Sequence, residues 1–194
     1  MELAEHIYSV LFVSPAGKFA DSLLSLLSGD RFSPVVTPTD AAGARRALLE
    51  RSFDLALINA PLPDEFGTRL SLDICDGSGT GVLLLVRSEH YPDVTARVSP
   101  YGVLTLPRPT TAATVSQSLA LLCGTRERLR RMEQKTASIE EKIEEIRLVN
   151  RAKWLLIEQL KMTEPDAHRY IEKTAMDRCV TRRAVAEGII KTYQ

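Results

Sequence analysis

With 194 residues, 44% hydrophobic and 26% charged, the chain has the composition of a folded globular protein and the length of one medium domain plus a small one, which excludes a largely disordered chain. Lysine plus arginine (25) balances aspartate plus glutamate (25), but residues 1–120 hold 9 against 13 and residues 121–194 hold 16 against 12, so the C-terminal part is the one suited to a polyanion. Apolar runs such as Val82 to Val86 fall far short of the roughly 20 residues that cross a bilayer, which excludes a helical membrane span and a membrane partner.

At the N-terminus, Met1 to His6 carries Glu2 and Glu5 where a secretory signal would carry lysine or arginine. Cys75, Cys123 and Cys179 are odd in number and widely spaced, and both features predict a cytoplasmic chain with reduced thiols. His6, His90 and His168 are equally scattered. No Cys/His metal spacing, nucleophile–base pair or phosphate loop is present, so no metal, cofactor or catalytic residue is expected and an enzyme is the weakest reading.

Strand-like runs at Ile7 to Val13, Pro34 to Val36, Asp54 to Asn59, Gly81 to Val86 and Gly102 to Leu106 alternate with amphipathic stretches, which predicts an α/β fold on a five-stranded parallel sheet. Ala16 to Ser28 can bury Phe19, Leu23, Leu26 and Leu27 on one helical face, and Thr39 can cap a helix carrying Ala44, Ala47 and Leu48. Gly29, Gly77, Gly79 and Gly102 mark element boundaries. Chemistry in such a sheet belongs at the carboxyl ends of the strands. There the third strand and its loop read DLALINAPLPDEFG, Asp54 to Gly67, and the fifth strand runs into Pro107-Arg108-Pro109. The first segment closely resembles the phosphoacceptor segment of two-component receiver domains, most specifically in Leu62 to Gly67. The second resembles the Lys-Pro signature that closes that fold. The resemblance covers residues 1–122 and implies a flavodoxin-like receiver.

The chain departs from the family at four positions of one mechanism. The aspartate that receives the phosphoryl group corresponds to Asn59, whose amide is neither anionic nor a useful nucleophile. Ser14-Pro15-Ala16 stands where the family places two acidic residues for Mg²⁺. Val86 replaces the hydroxyl residue that senses the phosphoryl group, and Arg108 the lysine that pairs with it. The expectation is a pseudo-receiver, not competent for aspartyl phosphorylation, that dimerises, positions the output or docks a regulatory sensor protein. Asp54, Asp64 and Glu65 leave a displaced metal site open, although Asp54 should begin its strand at the opposite end from the loops and the other two read as ordinary turn residues.

From Leu122 to Pro165 only Gly124 could interrupt a helix, so one long helix is expected, with a connector over residues 123–146. Leu129, Met132, Thr136, Ile139, Ile143, Ile146 and Asn150 follow alternating steps of three and four, a heptad seam with Asn150 at an a position where it can set register. In a parallel pair Arg128 would meet Glu133 and Lys135 would meet Glu140, while Lys142 would face Arg147. A homodimer is favoured over a helix packed on its own domain.

The long helix should continue to about Lys161. Thr163-Glu164-Pro165-Asp166 then starts a second helix, with Ala167, Tyr170, Ile171, Thr174 and Ala175 inward, and Thr181 caps a third with Val185, Ile189 and Ile190 inward. Residues 147–194 thus form a three-helix domain too small to be stable without a dimer. Arg151-Ala152-Lys153, Leu156, Ala167, Ala175-Met176-Asp177 and Val185-Ala186 resemble, in order and spacing, the ANTAR domain of transcription antiterminators. This chain has Trp154 and Ile157 where that family usually has glycine and then methionine. The resemblance implies a dimer that binds paired hairpins in leader mRNA and holds back a terminator hairpin.

Readers of folded RNA need cations for the backbone and planar side chains for splayed bases. Arg151, Lys153, Lys161, Arg169, Lys173, Arg178, Arg182 and Arg183 supply the cations, with Arg151, Lys153, Arg169 and Lys173 favoured by their motif positions. Trp154, Tyr170 and Tyr193 are the available rings; core packing is favoured for Tyr170 and stays open for Trp154. The expected function is a dimeric RNA-binding antitermination regulator. The alternatives are a DNA-binding transcriptional regulator, against which no helix-turn-helix is found, and a protein-protein interaction scaffold, which would leave the basic residues without a ligand.

Overall fold

A computed structural model describes residues 6–193. The acidic positions Glu2 and Glu5, which carry the leader argument, lie outside the described residues. The chain divides into two compact units, one running to Arg131 and the other beginning at Met132. Among the described residues no helix is long and apolar enough to cross a membrane.

In the first unit β1 (Tyr8–Val13), β2 (Phe32–Val36), β3 (Leu55–Asn59), β4 (Gly81–Arg87) and β5 (Leu104–Arg108) form one parallel sheet in the order β2-β1-β3-β4-β5. Parallel pairs require crossover connections, and the helices that make them cover both faces. The central strands are therefore apolar on both sides: all of β3 is buried, as is Val82 to Val86 of β4. Leu55, Leu57, Leu83 and Leu85 point to one side, where Leu23 of α1 (Lys18–Leu26) and Val115, Leu119 and Leu122 of α5 (Ala112–Leu160) meet them. Ala56, Ile58, Leu84 and Val86 point to the other, onto Ala44 of α2 (Ala41–Glu50), Leu70 and Ile74 of α3 (Thr68–Gly77) and Val94 and Val98 of α4 (Tyr91–Val98). Burial of each such leucine or isoleucine contributes about 1.5–3 kcal/mol. β2 lies at the sheet edge and is half exposed, the place where Pro34 with no N–H to donate is tolerated.

Several boundaries differ from the sequence expectation. The cap of α2 is Asp40, which accepts from the Gly43 amide at 2.6 Å, and not Thr39. β5 begins at Leu104 because a 3-10 turn over Ser99–Tyr101 ends on Gly102 in the left-handed region, φ 87°. The long helix begins at Ala112, ahead of Leu122, with the Thr111 hydroxyl accepting from the Thr114 amide, and Gly124 does not interrupt it. Gly81 explains how α5 docks: a Cβ there would lie 3.0 Å from Leu122.

In the second unit the remainder of α5 packs with α6 (Glu164–Asp177) and α7 (Arg182–Tyr193) around Ala152, Leu156, Ala167, Ile171, Ala175, Val185, Ala186 and Ile189. Thr163 caps α6 by accepting from the Asp166 amide, and Thr181 caps α7 by accepting from the Ala184 amide. α5 ends at Leu160, where Lys161 takes a left-handed conformation, φ 55°. Tyr170, expected inward, is 44% exposed. The inward face of α6 is the narrower stripe Ala167, Ile171 and Ala175.

Candidate functional site

The carboxyl edge of the sheet is filled by side chains bonded to one another. Asn59, at the end of β3, is buried, and its Nδ2 donates to Ser14 Oγ at 2.8 Å. Ser14 Oγ in turn donates to the Pro15 carbonyl at 2.9 Å, while Asn59 Oδ1 is buried with no partner. Arg108, at the end of β5, donates to the Ala60 carbonyl and lies 5.4 Å from the Phe19 ring centroid. Burial, and then repulsion by Arg87, push its guanidinium below the usual arginine range. Val86 is fully buried, and the neighbouring hydroxyl of Ser88 donates to the Arg108 carbonyl at 2.9 Å. No carboxylate stands on this group.

The acidic residues near the third strand have structural partners. Asp54 precedes β3 at the far end of the sheet, accepting from Ser9 N and Ser9 Oγ at 3.0 Å, with Arg126 Nε 3.7 Å away. Asp64 accepts from the Ala41 and Ala42 amides at 2.9 Å, so it closes the N-terminus of α2 and is more than a turn residue. The Ala41 amide is the main reason its carboxyl lies below the usual range. Glu65 accepts from the Leu70 amide and pairs with Arg45 at 2.9 Å, tying α2 to α3. Among the described residues no group of three or more His, Cys, Asp or Glu stands together as metal ligands.

In the second unit the cations divide into two sets. Lys153 is bound to Glu164 at 2.7 Å, Arg182 lies 3.3 Å from Glu145 and 3.8 Å from Glu172, and Arg183 is bound to Glu187 at 2.9 Å. Arg151, Lys161, Arg169, Lys173 and Arg178 are exposed, and no hydrogen bond or ion pair joins their side chains to another described residue. Trp154 is 71% exposed, so it is not a core residue. At 100° per residue it lies about 200° around α5 from both Ala152 and Leu156, on the side of the helix away from the three-helix core. Arg147, Arg151 and Trp154, spaced by four and three, share that side and are all exposed, and Lys161 is exposed just beyond the end of the helix. On α6, Arg169 and Lys173 are one turn apart, and Tyr170, Thr174 and Arg178 form the adjacent row.

Sequence reasoning missed the acidic partners, because most of the pairs join different helices; Arg183 and Glu187, four apart on α7, were readable from spacing alone. It also overstated the charge of this unit. Residues 132–194 hold 12 Lys+Arg against 11 Asp+Glu, and the surplus expected there sits on Arg126, Arg128, Arg130 and Arg131 in the first unit. The heptad residues Met132, Ile139, Ile143, Ile146 and Asn150 of the second unit are exposed, as is Leu129 of the first. Ile146 and Asn150 border a groove of about 460 Å³ shared with Val149, His168 and Arg182.

Comparison with known proteins gives matches of three kinds. Residues 137–190 match the family model of the ANTAR domain. The transcriptional regulatory protein PdtaR of Mycobacterium tuberculosis is 28% identical over 140 residues, covering 72% of this chain and 68% of that protein. Among solved structures, the signal receiver domain of an HD domain-containing protein from Pseudomonas fluorescens Pf-5 aligns with TM-score 0.59 and 21% identity, over 68% of this chain and 96% of that one. A response regulator receiver domain protein from Clostridium thermocellum aligns with TM-score 0.56 and 18% identity, over 65% and 99%. The chain therefore combines a receiver-like fold with a C-terminal segment, residues 137–190, that matches the ANTAR domain.

Proposed function

We propose that this chain is a dimeric, cytoplasmic, RNA-binding transcription antitermination regulator whose receiver domain does not undergo aspartyl phosphorylation and which is not an enzyme. The observation that carries the reading is that, among the described residues, Arg151, Lys161, Arg169, Lys173 and Arg178 of the C-terminal unit are exposed and lack acidic partners while Trp154 stands clear of the core. Unpaired cations beside an exposed ring suit a polyanion whose loop bases are splayed. Lys153, Arg182 and Arg183 are assigned a lesser part, since each would first have to leave a carboxylate. The exposed heptad stripe supports pairing with a second copy through Leu129, Met132, Ile139, Ile143, Ile146 and Asn150. Asn59 bonded to Ser14, with Arg108 turned onto Ala60 and Phe19, supports a receiver that responds to something other than a phosphoryl group, such as a sensor protein docked on it.

The test is a gel shift with the leader transcript of the protein's own operon across a salt series. Binding should weaken with salt at a slope of about −0.7 per phosphate contacted. Equal affinity for duplex DNA, or no shift at low salt, would refute the RNA assignment. Phosphodonor with Mg²⁺ should leave that binding unchanged and yield no aspartyl phosphate.

A further inference from the structure

A cleft of about 260 Å³ opens within the second unit between α6 and α7, walled by Tyr170 and Tyr193. The two tyrosines are 44% and 37% exposed, and neither hydroxyl has a partner among the described residues. Arg178 and Thr174 line the same cleft, and the Arg178 guanidinium is likewise unpartnered. The floor is apolar, from Leu156 and Ile189. The space lies below the roughly 300 Å³ at which pockets for whole small molecules begin, which suits a single ring system.

Gly188 is the independent observation. It sits in the interior of α7, where glycine costs about 1 kcal/mol relative to alanine. Neither of the usual structural reasons holds it there: its φ is not in the left-handed region, and a Cβ would meet nothing within 4 Å. What its missing side chain does is leave the cleft open, since Gly188 lines it.

We propose that this cleft seats one unpaired nucleobase of the bound RNA. The proposal rests on the RNA reading above and gives it a specific base-recognition pocket. A base presents a planar face to the tyrosine rings and a hydrogen-bonding edge to Arg178 and Thr174. Its lack of charge suits a cleft whose lining carries a single cation, Arg178, among neutral polar and aromatic side chains.

The experiment uses the full-length protein and short hairpin RNAs selected from a randomised-loop pool, with a fluorescent adenine analogue placed at each loop position in turn. The wild type should quench the analogue at one position. Gly188→Leu fills the cleft from its floor and improves helix propensity; it should keep the thermal midpoint, weaken binding about ten-fold and leave the salt slope unchanged. Gly188→Ala, whose methyl also projects at the cleft, should weaken binding in the same direction but by less. Tyr170→Leu, at an exposed position, provides a second variant that cannot unfold the core and should also weaken binding and abolish the quench. Wild-type affinity in both Gly188→Leu and Tyr170→Leu, or no quenching at any position, would overturn the cleft while leaving RNA binding intact. A wild type that binds no hairpin would overturn both.

Discussion

The carboxyl edge of the receiver sheet and the outer side of the ANTAR helices are both rich in polar side chains, but they satisfy them in opposite ways. At the sheet edge Asn59, Ser14, Arg108, Asp64 and Glu65 each bond within the unit, to one another or to backbone, with Asn59 Oδ1 and Arg108 Nε left buried without a partner among the described residues. On the helices five cations and an exposed tryptophan have no hydrogen-bond or ion-pair partner among the described residues. Side chains that are already bonded rigidify a fold, whereas those left unbonded are available to a ligand. The contrast supports the proposal that the working surface lies on the C-terminal unit. It also accords with the proposal of a receiver that takes no phosphoryl group.

The comparison can be broken most sharply at the seam. Ile143→Asp places a charge at the centre of the exposed heptad stripe and should convert a dimer to a monomer in light scattering, with loss of RNA binding. A dimer that persists would move the interface to another surface. The next effect is on stability. Leu57, fully buried in central β3, should cost about 2–5 kcal/mol on truncation to alanine, read from denaturant unfolding of the first unit. The isolated second unit has the smaller core and should show no independent transition of comparable size.

A finer test separates the two sets of cations. Arg151→Ala should reduce the salt slope of RNA binding by about 0.7, the contribution of one phosphate, whereas Arg183→Ala, removing a residue bound to Glu187, should leave it unchanged. The reverse pattern would reassign the surface. The smallest effect concerns acid. Hydrogen bonds from Arg130 and then Arg131 hold the Glu127 carboxyl down at about 2, from an ordinary 4.5. A depressed carboxylate stabilises the fold above its unfolded value and loses that contribution as pH falls through the folded one. Glu127→Gln should therefore flatten the dependence of the thermal midpoint between about pH 4.5 and 2, only slightly because the pair faces solvent.

How much of this was legible in the sequence depends on how local the physics is. β3 and β4 are continuous apolar runs between turn residues, and the α6 cap at Thr163 is a local hydroxyl-to-amide bond; both could be read directly. The α2 cap could not be chosen between Thr39 and Asp40, because adjacent residues compete for one position and Asp64, distant in sequence, shares the same helix end. The start of α5 was hidden because residues 112–121 pack on the sheet and carry no heptad pattern. The substitution at Asn59 was plain, but its bond to Ser14 needed the two strand ends side by side. Tyr170 was assigned inward from a helical stripe that proved two residues narrower, with Tyr170 exposed and Thr174 half-buried. The sorting of paired from unpaired cations depends mainly on distances between helices, to which spacing along one helix gives no access.

The most direct measurement of the proposed working surface is ultraviolet crosslinking of the full-length protein to its leader transcript, followed by mass spectrometry of the attached peptides. Crosslinks should fall on the peptides carrying Arg151 and Trp154 and on those spanning Arg169 to Arg178. Crosslinks on the receiver's carboxyl edge, or none on the C-terminal helices, would contradict the assignment of that surface to RNA.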